Sequence, residues 1–331
     1  MSATILDVAK LSGYSKATVS RAFVNPERVS KRAKETIYLA ANRLNYTPNA
    51  IAQAMVRKRT NNIGFVIYEK QYAVVTNPFY STIFESVLQT CSQKGYSLFI
   101  SSDRGLRLPN GQLYIKKQLD GIILAGQSDE QMVLDLQRQG MPVVLLNNAM
   151  DLENLVCVTA DQYNGALLAM EHLLDRGHRH IGLLAGKFSP HVYAGRNKGY
   201  YDALLKAGIP VDNRNIRIVE PTMEQAIEGA SSLLDLPVPP TALYCTSDLI
   251  GVGAVKAALR RGLRVPEDVA IIGFDDDQNS CIVEPELTTI HIQKAAMGRI
   301  AAEQLIAQIE YDLPQKEIIQ TPVRLLVRRS T

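Results

Sequence analysis

The stretch Thr4-Ile5-Leu6-Asp7-Val8-Ala9-Lys10-Leu11-Ser12-Gly13-Tyr14-Ser15-Lys16-Ala17-Thr18-Val19-Ser20-Arg21-Ala22-Phe23 decides how this chain is read. Thr4 stands three residues before Asp7, a capping-box spacing, and Ile5, Val8, Ala9 and Leu11 then offer an apolar helical face. Gly13 breaks that helix. Ser15 can cap a second, Lys16 to Phe23, with Val19, Ala22 and Phe23 turned inward. Asn25-Pro26 ends it, and Ser30 caps a third helix to about Leu44 whose buried side is Ala33, Ile37, Ala40, Ala41 and Leu44. Residues 1–47 thus form a compact three-helix unit. Its first two helices meet at a tight glycine-containing turn, the helix-turn-helix pattern.

Charge points the same way. Residues 1–60 carry eleven Lys or Arg against Asp7, Glu27 and Glu35, a balance of +8, while the other 271 residues carry 25 basic and 30 acidic side chains, a balance of −5. The formal +3 of the 331-residue chain averages two unlike parts. A basic helical head suits a polyanion. Lys16 can donate to guanine O6 or N7, and Ala17 is small enough to meet a thymine methyl or to let the helix approach. Ser15, Thr18, Ser20, Arg21, Asn25 and Ser30 supply phosphate contacts, aided by helix N-termini. A protein-docking module with a solvated basic face is the alternative, and the confinement of the charge to 60 residues counts against it. Beyond Pro48, residues 49–55 spell about two helical turns, too few to stand alone. Arg57-Lys58-Arg59 follows, so the segment suits a linker that orders on a polyanion.

From residue 61 the rhythm changes. Apolar strand runs at 63–68, 97–101, 121–125, 142–146, 181–185, 242–245 and 269–274 are separated by helical patterns such as 80–94, 163–176, 199–207 and 249–261. Alternating buried strands and helices make parallel α/β sheets. About 270 residues of this pattern divide into two doubly wound subdomains with a cleft at their strand C-termini. Asn61-Asn62-Ile63-Gly64 and His178-Arg179-His180-Ile181-Gly182 launch strands with a similar phrase, which puts the start of the second subdomain near residue 161. The helix near 295–309 has an apolar face that serves either the core or a dimer.

Several chemistries are excluded. Gly182–Lys187 lacks the spacing and the Ser or Thr of a phosphate loop, and Gly251-Val252-Gly253 lies inside a helical pattern. The five histidines and four widely spaced cysteines form no ligand cluster, so no metal and no other cofactor is expected, and the cysteines are taken as core thiols. No basic-then-apolar leader and no apolar run of about 20 residues occurs, which points to a soluble cytoplasmic protein with no membrane partner. Asp275-Asp276-Asp277 at a strand end offers carboxylates that accept hydroxyl hydrogen bonds. Arg196, early in the helix after the Ile181 strand, can donate a fork of hydrogen bonds to hydroxyls or a carboxylate.

Taken together these features resemble the family of bacterial repressors typified by the lactose, galactose and purine repressors. The likeness covers nearly the whole chain. It is carried by Thr4–Ala9, Ser15–Arg21, Val29-Ser30, Leu44–Asn49, Asn77-Pro78-Phe79, Asp120–Ile123, Gly177–Gly182, Arg196 with Gly199-Tyr200, Val265–Asp276 and Pro285–Ile290. The resemblance implies an all-α helix-turn-helix DNA-binding head (1–60, hinge helix about 49–56) on an α/β bilobed core (61–331) that resembles periplasmic binding proteins and has two doubly wound parallel sheets. It implies an N-subdomain of about 61–160 plus 291–325 and a C-subdomain of about 161–290. It further implies a homodimer on near-palindromic double-stranded operator DNA. Thr4, Leu6, Ser15, Lys16, Ala17, Thr18, Arg21, Asn25 and Ser30 would serve the DNA from the head, and Asn49, Ala52 and Met55 from the hinge. Met55 stands where the family usually wedges a leucine into a minor-groove step.

The effector, probed as a small sugar, would sit between the subdomains. There Phe79 stacks on it, Arg196 and Asp275 hydrogen-bond to it, and Asn147 and Ser247 face the cleft. Asp161 belongs to the crossover. Ser247-Asp248 departs from the family's usual Asn-Asp, so a ligand copied from a close relative does not follow. No leucine heptad tail follows residues 322–328, which favours a dimer over a tetramer. The effector can be an inducer, as for sugars, or a corepressor, as for purines. A sugar-binding protein without a DNA role and an enzyme using Asp275–Asp277 are the rival classes. The basic head disfavours the first, and the lack of a nucleophile, base or metal set disfavours the second. A chain beginning at Asn61 is predicted to lose duplex binding in a gel-shift assay and to remain a soluble ligand-binding dimer by size-exclusion chromatography.

Overall fold

A computed structural model describes residues 3–47, 59–67, 77–102, 104–106, 119–187, 190–311 and 316–331. The head contains α1 (Ile5–Ser12), α2 (Lys16–Val24) and α3 (Lys31–Arg43). The capping box forms: Thr4 N and Oγ1 donate to Asp7 Oδ2 at 2.9 and 2.7 Å, and Asp7 N donates back to Thr4 Oγ1 at 3.4 Å. Those hydrogen bonds from Thr4 hold the Asp7 carboxyl below the usual carboxylate range. Gly13 ends α1 at φ 74°, a left-handed turn that a side chain would strain. Ser15 and Ser30 cap the next two helices, accepting from Thr18 N at 3.1 Å and Ala33 N at 3.4 Å.

Val8, Val19, Ala22, Ile37, Ala40 and Ala41 make a core too small to be generous. Aromatic contacts extend it: Phe23 lies 5.3 Å from Tyr38 and 5.8 Å from Tyr46 between ring centroids, and Tyr38 OH donates to Ala22 O at 2.9 Å. Leu11 corrects the expected apolar face. It is 49% exposed because its helical position falls well off the stripe of Ile5, Val8 and Ala9.

The body runs β1 (Asn62–Ile67), α4 (Pro78–Gln93), β2 (Ser97–Ser102), β3 (Gly121–Ala125), α5 (Glu130–Arg138), β4 (Val143–Leu146), β5 (Val156–Ala160), α6 (Gln162–Asp175), β6 (Ile181–Gly186), α7 (Pro190–Lys206), β7 (Ile216–Val219), α8 (Met223–Leu234), β8 (Ala242–Cys245), α9 (Asp248–Arg260), β9 (Ala270–Ile272), α10 (Asn279–Ile282), β10 (Thr289–Ile292), α11 (Lys294–Tyr311), β11 (Glu317–Thr321) and β12 (Val323–Leu326). One sheet has six strands in the order β11-β5-β4-β3-β1-β2, and β11–β5, β5–β4, β4–β3 and β3–β1 pair parallel. The other has four parallel strands in the order β7-β6-β8-β9. Each sheet reverses its winding, between β1 and β3 in the first and between β6 and β8 in the second, which places ligand crevices at their carboxyl ends. The antiparallel ribbon β10–β12 is a separate two-stranded sheet joined to the end of β9 by the bridges Ile272–Thr288 and Asp275–His291.

The central strands β3, β4 and β5 are buried throughout, matching their unbroken apolar runs. α11 resolves the ambiguity over its apolar face: Met297, Ala301, Ala302, Leu305 and Ile309 join the core of the first sheet. The helix expected over 199–207 begins much earlier, at Pro190. The strand expected over 269–274 is only Ala270–Ile272, because the chain leaves extended geometry at Asp275 (φ 112°) and Asp276 (φ 52°). Cys91, Cys157 and Cys245 are buried as expected, but Cys281 is exposed because it lies on the one-turn α10 at the surface.

Asp276 ties the end of β9 to the ribbon. It accepts from His291 Nδ1 at 2.7 Å and from Arg328 NH2 at 2.5 Å. Burial opposes its ionisation, but the hydrogen bonds from His291 and Arg328 outweigh burial and hold its carboxyl below the usual range. A carboxyl depressed in the fold stabilises it above the unfolded value and loses that contribution as pH falls through the folded one. Asp276→Asn is therefore predicted to have a lower Tm than wild type at neutral pH, with the gap closing below about pH 4.

Candidate DNA interface and effector site

In the head, Ser15, Lys16, Ala17 and Thr18 lie on or just before the N-terminal half of α2, and Arg21 lies in its last turn. Lys16, Ala17 and Arg21 are exposed, as an element entering a groove requires. Asn25 caps the C-terminal end of α2, its N–H returning to Arg21 O at 2.8 Å. Leu6 is 53% exposed on α1 despite its apolar side chain. The hydroxyls of Thr4, Ser15 and Ser30 are engaged as helix caps, so each also marks a helix N-terminus whose backbone N–H groups favour an anion. The hinge candidates Asn49, Ala52 and Met55 lie outside the described residues.

In the body, Arg196 is the organising group. It is 2% exposed on α7, and each part of its guanidinium is used: Nε donates to Gln162 Oε1 at 2.7 Å, NH1 to Thr246 O at 2.5 Å and NH2 to Asp275 Oδ1 at 2.7 Å. Its carbon lies 3.8 Å from the centroid of the Phe274 ring, a desolvated cation–π contact. Asp275 is buried, and burial raises its carboxyl above the usual range against the pull of Arg196. Its left-handed backbone aims it at the arginine. Lys294 holds that strained turn, its Nζ donating to the carbonyls of Asp275 at 2.5 Å and Asp276 at 2.8 Å.

Asn147 follows β4 at φ 56° and donates from Nδ2 to Tyr80 OH at 3.1 Å. Tyr80 stands beside Phe79 at the start of α4, their rings edge to face at 5.0 Å. Burial pushes the Tyr80 phenol up to about 12, with Asp275 adding to the shift and Arg196 opposing it, so Tyr80 shares its surroundings with the arginine pair. Ser247 caps α9 through Ile250 N at 3.4 Å, and Tyr193, whose phenol burial also raises to about 12, has Ser247 and Arg196 acting against that shift. Phe79, Asn147, Arg196, Ser247 and Asp275 are thus gathered through shared neighbours, at the carboxyl ends of strands from both sheets. Three buried polar atoms of this region have no partner among the described residues: Asn147 Oδ1, Gln162 Nε2 and Tyr244 OH. Unpaired buried groups are costly, and they mark hydrogen bonds that a ligand or water completes.

Sequence reasoning missed Tyr80, Tyr193, Gln162 and Thr246. Tyr80 adjoins the quoted Asn77-Pro78-Phe79, and Tyr193 precedes Arg196 by three residues and so shares its helix face; both signals were present. Asp276 and Asp277 are not in the cluster: the first serves the ribbon, and the second accepts from Asn279 N at 2.7 Å at the start of α10. Asp161 caps α6, accepting from Asn164 N at 3.1 Å. Asp248 is fully buried and accepts from Asp277 N at 2.8 Å and Thr289 Oγ1 at 2.5 Å. Burial, with Asp275 and Asp277 close by, raises its carboxyl well above the usual range.

A helix-turn-helix head and a body with a ligand site at the strand ends define a ligand-sensing regulator of transcription. Residues 60–329 match the family described as periplasmic binding proteins and sugar binding domain of LacI family, and residues 4–49 match bacterial regulatory proteins, lacI family. The chain is 30% identical to the HTH-type transcriptional repressor PurR of Pasteurella multocida (strain Pm70), over 99% of this chain and 98% of that one. Among solved structures, it is similar to the transcriptional regulator CelR–cellobiose complex (28% identity, TM-score 0.76, 99% of this chain and 100% of that one). It is also similar to the lac repressor dimer bound to operator and the anti-inducer ONPF (25% identity, TM-score 0.85, 100% and 99%). The chain belongs to the LacI family of bacterial regulatory proteins; it is a DNA-binding transcriptional repressor, not an enzyme.

Removing Arg196 leaves Asp275 buried without its partner. Arg196→Ala is predicted to cost about 3–5 kcal/mol in urea unfolding. Adding Asp275→Asn to it is predicted to cost less than the sum of the two single changes, since both act on one contact.

Proposed function

We propose that this repressor controls a carbohydrate-utilisation operon and that a small sugar or sugar derivative sets its operator affinity. One observation carries the effector assignment: a buried Arg196–Asp275 pair amid tyrosines, with Asn147 Oδ1, Gln162 Nε2 and Tyr244 OH of the same region lacking a hydrogen-bond partner among the described residues. Such a set suits a neutral ligand rich in hydroxyls, each of which both donates and accepts. The sugar-binding description of the matched family and the cellobiose bound by CelR support the same class. Phe79 packs against the ligand, and Arg196, Asp275, Asn147 and Ser247 hold its hydroxyls.

The domains are assigned as 1–60 for the head with a hinge helix at about 49–56, 61–160 plus 291–325 for the N-subdomain, and 161–290 for the C-subdomain. Lys16 and Ala17 read base edges; Thr4, Ser15, Thr18, Arg21, Asn25 and Ser30 hold phosphates; Leu6, Asn49, Ala52 and Met55 contact the DNA from α1 and the hinge. The repressor acts as a homodimer in the cytoplasm. The dimer is supported by apolar side chains left exposed on the body, Leu88, Phe99, Ile100 and Ile282, and by the dimeric lac repressor. No described helix is long and apolar enough to cross a membrane. Effector and operator are coupled through the protein, each changing the affinity for the other by the same factor. A non-sugar corepressor such as a purine is the second reading, favoured by the likeness to PurR.

Operator binding followed by fluorescence anisotropy tests the proposal. Binding is expected to weaken steeply with salt, as phosphate neutralisation requires, and to shift when a sugar is added. Lys16→Ala should relax base choice at one operator position, costing about 1–3 kcal/mol there, whereas Lys58→Ala should weaken all sequences alike. Equal affinity for scrambled duplex would remove the sequence-specific reading, and a response to purines alone would move the effector to the second class.

A further inference from the structure

The effector site holds a side chain of its own where a ligand is expected. Tyr193 lies on α7 three residues before Arg196, and the Arg196 guanidinium carbon is 5.9 Å from its ring centroid. Its phenol lies against the bare Cα of Gly186, the last residue of β6. A Cβ at Gly186 would come within 2.4 Å of Tyr193 Cζ, 2.6 Å of its OH and 2.7 Å of Cε2. Gly186 has no left-handed φ that would itself demand glycine; it is a strand residue paired with Val219 and donating its N–H to Thr246 Oγ1 at 2.9 Å. The tyrosine ring alone accounts for the missing side chain.

Through Arg196, which its ring adjoins, the phenol stands beside the Arg196–Asp275 pair.

We propose that Tyr193, seated on Gly186 beside Arg196, sets the size of the effector: it closes the inner part of the site there, so that the cleft takes a compact ligand and refuses one with a second ring system. This rests on the effector site assigned above, but not on the ligand being a sugar. Cutting the ring back opens the space, and methyl addition at Gly186 unseats the ring.

The test has two parts, both on the full chain. In thermal unfolding without ligand, Gly186→Ala is expected to lower Tm by about 4–10 °C through overpacking, and adding Tyr193→Ser to it should recover most of that loss. An unchanged Tm in Gly186→Ala, or no recovery in the double variant, overturns the seat and with it the proposal.

In calorimetric titration, two size pairs serve as probes: D-glucose with cellobiose, and hypoxanthine with inosine. Wild type and Tyr193→Phe are expected to bind only the compact member of a pair. Tyr193→Ser is expected to gain affinity for the larger member by about tenfold or more. Wild type binding both members equally, Tyr193→Ser leaving the preference unchanged, or no probe binding either protein overturns the proposal. Size selection confined to the hypoxanthine pair supports the role of Tyr193 and refutes the sugar assignment, so the two failures are told apart.

Discussion

The buried guanidinium of Arg196 is the contact on which the ligand site depends. A charge this desolvated survives only when its donors are satisfied, and here they are satisfied by three different parts of the chain, Gln162 on α6, the Thr246 carbonyl after β8 and Asp275 after β9, with the adjoining Phe274 ring against the guanidinium. One side chain therefore sets the relative positions of the segments that leave three strand ends. The strain at Asp275 and the buried Lys294 that supports it follow from the same requirement, because the carboxylate must meet the arginine from a turn that ordinary residues avoid.

Around that fixed centre the chain places side chains of adjustable size and polarity. Tyr80 and Asn147 approach from segments that follow strands of the six-stranded sheet, and Tyr193 and Ser247 from segments that follow strands of the four-stranded one. The division of labour is physical. Groups bonded to Arg196 cannot change without leaving an unpaired charge, whereas those at one remove can change with only local repacking. Variation among relatives in what they bind is accommodated most cheaply at the second set.

How much of this was legible in the residues depended on whether the signal was local. The head was legible nearly to the residue, because capping boxes, Gly13 and the Asn25-Pro26 stop act within a few positions. Leu11 failed because, at 100° per residue, position 11 falls off the face that Ile5, Val8 and Ala9 share. The buried strands β3 and β8 were read at their observed limits, while β5, β7 and β11 were overlooked: β7 and β11 lie at sheet edges and mix charged or polar residues with the apolar ones, but β5 is a buried inner strand whose run Val156–Ala160 was missed. In the site, Arg196 and Asp275 were each legible as candidates from their places after strands, but that they pair was not, since they stand 79 residues apart along the chain. Tyr193 needed the structure, because its meaning lies in the glycine beneath it.

The strand β11 carries a consequence for how such a chain is made. It completes the first sheet by pairing with β5, and Thr321 bonds to Thr159 across 162 positions of sequence. During synthesis the flank of β5 that β11 later covers must wait, open and ready to pair, while the whole second sheet emerges. The four-stranded sheet, whose strands are all contiguous in sequence, has its full complement before the six-stranded one does. The part made first is finished last, and for that interval the growing polypeptide exposes an unpaired strand edge to its neighbours on the ribosome.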